Sequence, residues 1–319
     1  MITSQRVGVL RVFASFSTET EKNLEVKDGF FESDDGGESW RRVPTPETAM
    51  NEADVTWLMN TEDSRVRYRT VSISVSKPYH DYIGMLRQER WFIERSEDFG
   101  KSWKRAQANI VRSSETIDRF VFLSFHPGNP KIFYISAPII GAKTLAGLYV
   151  TEDGGENFEL RSVGRSLVIF AVSNSNPSVM YSTNEFGSLL KSENSGERWA
   201  LLDQDREIKT LITSAKTNKG MKDTIDPIGN AVYQIEIDPF DPETVFVLSK
   251  KGILKSKDGG ANWCVLNLGP GITTAVNSIQ LDPGNPAVVF AGTWAGLFRS
   301  KGGEENWGKI PIAERLVRK

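Results

Sequence analysis

One short pattern, Ser/Thr-x-Asp-x-Gly-x-x-Trp, recurs along the 319-residue chain and limits its fold more than any other feature. The fullest copy is Leu254-Lys255-Ser256-Lys257-Asp258-Gly259-Gly260-Ala261-Asn262-Trp263. Earlier copies are Ser33, Asp35, Gly37, Trp40; Ser96, Asp98, Gly100, Trp103; Thr151, Asp153, Gly155, Phe158; and Ser192, Asn194, Gly196, Trp199. A worn copy follows, in which Ser300 and Trp307 keep their separation while Gly302 and Glu304 replace the Asp and the Gly. An apolar pair leads into each: Phe30-Phe31, Phe92-Ile93, Tyr149-Val150, Leu189-Leu190, Ile253-Leu254 and Leu297-Phe298. Pairs of that kind favour extended chain, so each copy begins at the end of a strand.

The residue types describe a turn that satisfies itself. A short carboxylate accepts hydrogen bonds from the N–H groups of its own turn, the hydroxyl before it does so more weakly, and the glycine takes a positive φ. The Trp starts the returning strand and folds its ring over the hairpin, removing roughly 150–250 Å² from water. Calcium would need several carboxylates converging at alternate positions, whereas each copy offers essentially one. A structural turn is therefore expected, and no metal or cofactor.

A second repeat precedes the first: an apolar strand, a turn containing proline, and another apolar strand. The copies run from Phe125-His126-Pro127-Gly128-Asn129-Pro130 to Phe133-Tyr134, from Asn174-Ser175-Asn176-Pro177 to Met180-Tyr181, from Asp238-Pro239-Phe240-Asp241-Pro242 to Val245-Phe246, and from Asp282-Pro283-Gly284-Asn285-Pro286 to Val289-Phe290. A weaker copy is Lys77-Pro78-Tyr79-His80-Asp81. Proline presets φ for such turns and cannot donate to a central ladder. His80 and His126 are thus read as turn residues. The anchor residues lie 41 to 64 apart, which leaves room for one four-stranded unit of about 40–45 residues plus an insertion in each interval. Repetition of this kind argues for one closed assembly rather than separate domains.

Composition narrows the function classes. The net charge is −2, with acidic and basic residues interleaved, whereas nucleic-acid binders concentrate Lys and Arg on one face. No apolar run is long enough for a membrane helix. The single cysteine, Cys264, has no internal disulfide partner and is expected in the strand after Trp263 as a small buried hydrophobe. Val7 to Phe16 is interrupted by Arg11 and reads as a strand, not as a signal segment. The compartment is left open: cytoplasmic by default, secreted if a precursor segment has been removed.

The repeated turn resembles the Asp-box, or BNR, repeat of sialidases, two-domain xyloglucanases, the sortilin luminal domain and a photosystem II assembly factor. The resemblance runs from Phe30 to Trp307 and implies an all-β fold: a single β-propeller over residues 1–319, with six blades of four antiparallel strands and seven blades as the alternative. The blades are expected at about 1–44, 66–106, 118–162, 166–202, 231–267 and 275–312. The first blade lacks a convincing inner strand. Residues 313–318 are expected to supply it and close the ring; the alternative is Ile2 to Val9.

In such a blade the turn between the first and second strands and the Asp-box turn share one face. The second-to-third and blade-to-blade connections share the other, and these are the ones that vary in length, which places binding there. Trp57, Phe186 and Trp294 are candidate stacking surfaces on that face. Asp54, Glu185 and Asp203 are candidate catalytic carboxylates, since glycoside hydrolysis needs two carboxyls on opposite sides of the bond. The family comparison argues against catalysis. Xyloglucanases carry Thr-Asp-x-Gly-Gly after the second strand, where this chain has Thr183-Asn184-Glu185-Phe186-Gly187, an amide in the carboxylate's place. The sialidase Arg-Ile-Pro segment precedes the first box, while Arg42-Val43-Pro44 follows it in an outer strand. The expected function is a monomeric, non-catalytic propeller presenting one face to a protein or carbohydrate partner; the alternative is a sialidase-like or xyloglucanase-like glycoside hydrolase with carboxylates from the long loops.

Overall fold

The computed structural model describes residues 2–7, 9–16, 29–33, 41–43, 57–59, 66–78, 85–98, 101–106, 121–137, 146–164, 167–184, 187–202, 232–249, 252–266, 268, 276–282, 284–300 and 306–310. Among these the chain is built of strands, arranged as six four-stranded antiparallel sheets in which each strand pairs with the next in sequence. The first sheet comprises β1 (Ile2–Val7), β2 (Val9–Phe16), β3 (Gly29–Ser33) and β4 (Arg41–Val43). The second comprises β5 (Trp57–Met59), β6 (Arg67–Pro78), β7 (Met85–Ser96) and β8 (Lys104–Arg105). In the third are β9 (Val121–His126), β10 (Asn129–Ala137), β11 (Gly147–Thr151) and β12 (Glu159–Val163), and in the fourth β13 (Leu167–Val172), β14 (Met180–Asn184), β15 (Leu189–Ser192) and β16 (Ala200–Leu201). The fifth holds β17 (Val232–Ile237), β18 (Val245–Ser249), β19 (Gly252–Ser256) and β20 (Cys264–Val265); the sixth holds β21 (Val276–Asp282), β22 (Asn285–Thr293), β23 (Gly296–Ser300) and β24 (Trp307–Lys309).

The chain divides into two compact units, one of residues 1–47, 173–175 and 202–319, the other of residues 48–172 and 176–201. In the second unit, strand alternation covers both faces of the third sheet. Phe133, Ile135 and Ala137 of β10 face a cluster with Tyr68, Ile93, Ala106 and Phe158. Tyr134, with Leu148 and Val150 of β11, packs instead against Leu167, Met180 and Leu190 of the fourth sheet. In the first unit, Phe246, Leu248 and Ile253 of the fifth sheet meet Ile279, Leu281, Val289 and Ala291 of the sixth. Phe133 in the second unit, and Phe246 and Phe290 in the first, are fully buried.

The repeated turn is held by its own side chains, as its residue types require. Ser256 Oγ donates to Asp258 Oδ1 at 2.8 Å and accepts from the Gly260 N–H at 2.8 Å. Asp258 Oδ1 and Oδ2 accept from the backbone N–H and side-chain amide of Asn262 at 2.8 and 2.7 Å, and Trp263 Nε1 donates to the Gly260 carbonyl at 2.9 Å. Thr151 and Asp153 repeat this with Gly155 and Asn157. Asn194 replaces the Asp and keeps two of its bonds, its amide oxygen accepting from Ser192 Oγ and the Arg198 N–H. In the worn copy, Ser300 Oγ accepts from the Val289 N–H at 2.8 Å, so the serine braces the second strand instead. Gly260 has φ near 95°, and a Cβ there would stand 2.7 Å from Leu202 Cδ1, so this position needs glycine for both conformation and space.

The proline turns lie beside the box turns of the same sheets. The Gly154 N–H donates to the Lys131 carbonyl, Ser195 to Ser178, and Gly259 to Glu243. Each of these bonds joins the first hairpin of a sheet to its third-to-fourth-strand turn. One end of the third, fourth and fifth sheets is thereby closed by hydrogen bonds. His126 is a turn residue, as expected: its Nδ1 accepts from the Gly128 N–H at 3.1 Å.

Four expectations change. The second sheet starts at Trp57, not near residue 66, since Trp57–Met59 pairs with Arg67–Arg69. Lys77-Pro78 accordingly ends the second strand of that sheet, in a ladder running from Arg67↔Ser96 to Pro78↔Met85. Proline fits there because the last residue of a strand has no further ladder to support; His80 lies outside the described residues. The first sheet takes Ile2–Val7 as its first strand, paired with Leu10 to Ala14 and Val9 through a tight hairpin; residues 313–318 lie outside the described residues. Cys264 falls in the strand after Trp263 but is exposed, because β20 is the outer edge of its sheet.

Candidate binding face

The opposite ends of the sheets carry the second-to-third-strand turns. In the sixth sheet that turn is two residues long: Thr293 pairs with Gly296, the Thr293 hydroxyl donates to the Gly296 carbonyl at 3.0 Å and accepts from the Ala295 N–H at 3.1 Å. The turn is therefore fixed from within, and it holds Trp294 at its tip with 80% of the residue exposed. Burial of a ring that size would be worth several kcal/mol at about 25 cal/mol per Å², and the fold forgoes it at Trp294.

Tyr233, 48% exposed, stands at the same end of the fifth sheet. The relation follows from the hydrogen bonds between β17 and β21. Gln234 Oε1 accepts from the Ile279 N–H at 3.0 Å, and Gln234 Nε2 donates to the Ile279 carbonyl at 2.6 Å. The side-chain amide thus behaves as one peptide unit of an additional strand, satisfying the open edge of β21. Tyr233 precedes Gln234, and Val276, three residues before Ile279, pairs with Thr293 beside Trp294. The exposed Asn277 lies between these levels.

Beneath this rim is Glu236, half-buried on β17. Its Oε1 accepts from Gln234 Nε2 at 2.8 Å, its Oε2 from Gln280 Nε2 at 3.0 Å, and the Leu281 N–H also donates to it. Burial pushes its pKa up to about 7 against the pull of these three donors. The carboxylates of the box turns move the other way: hydrogen bonds from Asn262 and Ser256 lower Asp258, and those from Ser102 and Ser96 lower Asp98.

The Glu236 shift makes stability depend on pH. A pKa raised in the folded state contributes stability that is fully present below the unfolded value, near 4.5, and is lost as pH rises through about 7. At about 1.4 kcal/mol per unit, Glu236→Gln should remove a slope worth about 2–3 kcal/mol between pH 5 and pH 8. Urea unfolding of both chains across that range reads it directly.

Of the residues singled out in the sequence, Trp294 is where expected, on a turn at the open end. Trp57 lies in strand β5 and not in a loop. Asp54, Glu185, Phe186 and Asp203 lie outside the described residues, as do Asp35, Gly37, Trp40 and Gly100. Asn184, the amide in the xyloglucanase carboxylate position, caps its own turn: Oδ1 accepts from the Ser188 N–H at 2.9 Å, and its carbonyl accepts from Gly187. Gln234, Glu236, Gln280 and Tyr233 were not anticipated. The available signal was polar residues of the Gln and Glu type inside Val232–Ile237, between apolar neighbours at every second position.

A further repeat emerges just before the box serine. Lys191, Lys255 and Arg299 each stand cross-strand from an aromatic of the second strand, with the cation 5.9, 4.7 and 5.7 Å from the ring centres of Tyr181, Phe246 and Phe290. Arg95 is the cross-strand partner of Tyr68 in the same place. Such pairs favour the sheet by about 0.5–2 kcal/mol each, and they mark these cations as part of the scaffold.

No family model matches the chain, and no curated protein matches it in sequence. Solved structures do match. A GH74 enzyme of Niastella koreensis superposes with TM-score 0.55 at 15% identity, over 98% of this chain and 53% of its own, so the chain spans about half the length of that enzyme. A protein of unknown function from Dyadobacter fermentans gives TM-score 0.50 at 12% identity, over 96% of this chain and 91% of its own. YCF48 from Cyanidioschyzon merolae gives 0.46 at 14% identity over 86% and 73%, too distant to carry an argument. At these identities the likeness is one of fold alone: antiparallel four-stranded sheets arranged as in β-propellers.

Proposed function

We propose that the chain is a non-catalytic Asp-box propeller of six blades that uses its second-to-third-strand end to bind a protein or carbohydrate partner. The observation that carries this reading is the contrast between the two ends of the sheets. At one end, Ser, Asp, Gly and Trp are consumed by their own turn; at the other, Trp294 is held rigidly in solvent. An aromatic so placed stacks on a sugar face or fills a partner's apolar hollow.

The glycoside hydrolase reading draws on the likeness to the Niastella koreensis enzyme, which is one of fold. Asn184 weighs against it, because the amide is committed to its turn. Glu236 weighs against it as well, since both its oxygens are taken by N–H donors on neighbouring strands. A glycan and peptide array, run beside a panel of chromogenic glycosides, tests the proposal. Binding without release of chromophore, lost in Trp294→Ala, is the expected outcome. Turnover of any glycoside would replace the binding reading with the enzymatic one.

A further inference from the structure

The charges of the fifth and sixth sheets are divided between their two ends. Among the described residues, the acidic side chains of these sheets other than Glu236 are Asp238, Asp241, Glu243, Asp258 and Asp282, all in or beside the proline and box turns. The opposite end, where Trp294 stands, has a cation instead. Lys309 is exposed on β24, the outer strand of the sixth sheet. It pairs with Phe298, yet its side chain reaches Gly296, two residues nearer the Trp294 turn. A Cβ at Gly296 would stand 3.0 Å from Lys309 Cε and 3.7 Å from Nζ, and Gly296 has φ near 122°. The bare glycine therefore gives the lysine stem a surface to lie on and brings the ammonium to the foot of the turn. Among the described residues Lys309 has no ion-pair partner.

An ammonium and a tryptophan beside one turn suit a ligand that carries negative charge close to an apolar group. The polar groups of the turn are already engaged, the Thr293 hydroxyl with both the Gly296 carbonyl and the Ala295 N–H. A sugar, whose hydroxyls need partners, finds few of them here, whereas an apolar side chain needs none. Trp294 is also a projection, held at the tip of a two-residue turn, and a projecting tryptophan fits a hollow in a protein surface. Two residues of chain span at most about 7 Å, which bounds the Cα separation of Trp294 and Gly296. An extended peptide sets its side chains i and i+2 on one side at about the same distance. Resting on the binding reading given above, we propose that the partner at this end is a protein with an extended acidic segment, in which a carboxylate pairs with Lys309 and an apolar side chain two positions away covers Trp294.

The test is an array of immobilised peptides probed with the full chain. Each peptide holds Leu and a second residue two positions away, in either order, in a Gly-Ser background; the second residue is Glu, Gln or Lys. Neutral and uronic-acid oligosaccharides are printed beside them. The native chain should bind the Glu set about fivefold more strongly than the Gln set, as for an exposed ion pair. That preference should shrink between about 50 mM and about 500 mM NaCl, because salt screens it. Lys309→Glu should turn the preference toward the Lys set, Lys309→Gln should erase it, and Trp294→Ala should weaken binding to all three sets. The salt series needs no variant, so it decides the matter even if a substitution disturbs folding. Binding that is lost in Trp294→Ala but indifferent to the exchange of Glu, Gln and Lys overturns the acidic partner and leaves the binding reading standing. Capture of the oligosaccharides and of no peptide does the same. No binding to any peptide or sugar overturns both.

Discussion

Phe133→Ala should destabilise the chain by about 4 kcal/mol, the middle of the range for emptying an aromatic site in a packed core. Phe133 is fully buried, and three rings surround it: Tyr68 at 4.7 Å, Phe158 at 5.5 Å and Phe125 at 5.7 Å between centroids. The cavity cannot collapse easily, because Tyr68 is tethered by its hydroxyl to the Gly154 carbonyl at 3.0 Å, inside the next sheet's box turn. Losing Phe133 therefore loosens both the second and third sheets of the unit that holds them. A urea series with Phe133→Leu as the milder companion checks the effect; a loss below about 1 kcal/mol for the alanine would mean that this junction does not carry the unit's stability.

Gly147→Ala is the second large effect, and its origin is backbone. Gly147 opens β11, paired with Ala137 on one side and Val163 on the other. A Cβ at this position would run into the carbonyl oxygen and carbon of Ser162, with Leu160 Cδ1 also at 2.9 Å. Backbone of the adjacent strand cannot swing aside as a side chain does, so β11 and β12 must separate. The cost should be about 3 kcal/mol or more, at the top of the range for overpacking. The same substitution at Gly128, where the Cβ would find only ordinary contact with His126, should be nearly neutral. Thermal unfolding of the two variants side by side separates the steric effect from the general cost of replacing glycine.

What the sequence made legible was what is local. The box turn spans eight residues, and the side-chain bonds that shape it are made within that span, so residue type and spacing sufficed to predict it. The same holds for the proline turns at His126, Asn176, Asp238 and Asp282, where side-chain oxygen or nitrogen caps the next residues. Lys77-Pro78 was misleading because proline at the end of a long strand has the same sequence signature as proline in a tip. Trp57 was hidden in what reads as a loop, since a three-residue strand is too short to show a period. The cross-strand cation and aromatic pairs needed the register, which only the paired strands reveal. Most remote of all was the Gln234 bond to Ile279, across 45 positions, because a side chain that imitates a peptide leaves no local pattern.

The Glu236 network also shows why candidate catalytic carboxylates are poorly chosen from loops alone. A carboxylate between two strands, surrounded by amides, is the group whose ionisation falls near neutrality, yet its oxygens are already engaged. Perturbed ionisation identifies strain or function, and geometry decides between them.

The two ends of the sheets are expected to do different work, one holding the fold and the other left free for a partner. Parallel thermal unfolding of Ser256→Ala and Trp294→Ala tests it without any ligand. Ser256→Ala strands the buried Gly260 N–H and should cost about 1–3 kcal/mol, whereas Trp294→Ala, at a site 80% exposed, should stay within about 0.5 kcal/mol of the native chain. Equal losses, or a larger loss for Trp294→Ala, would contradict the division.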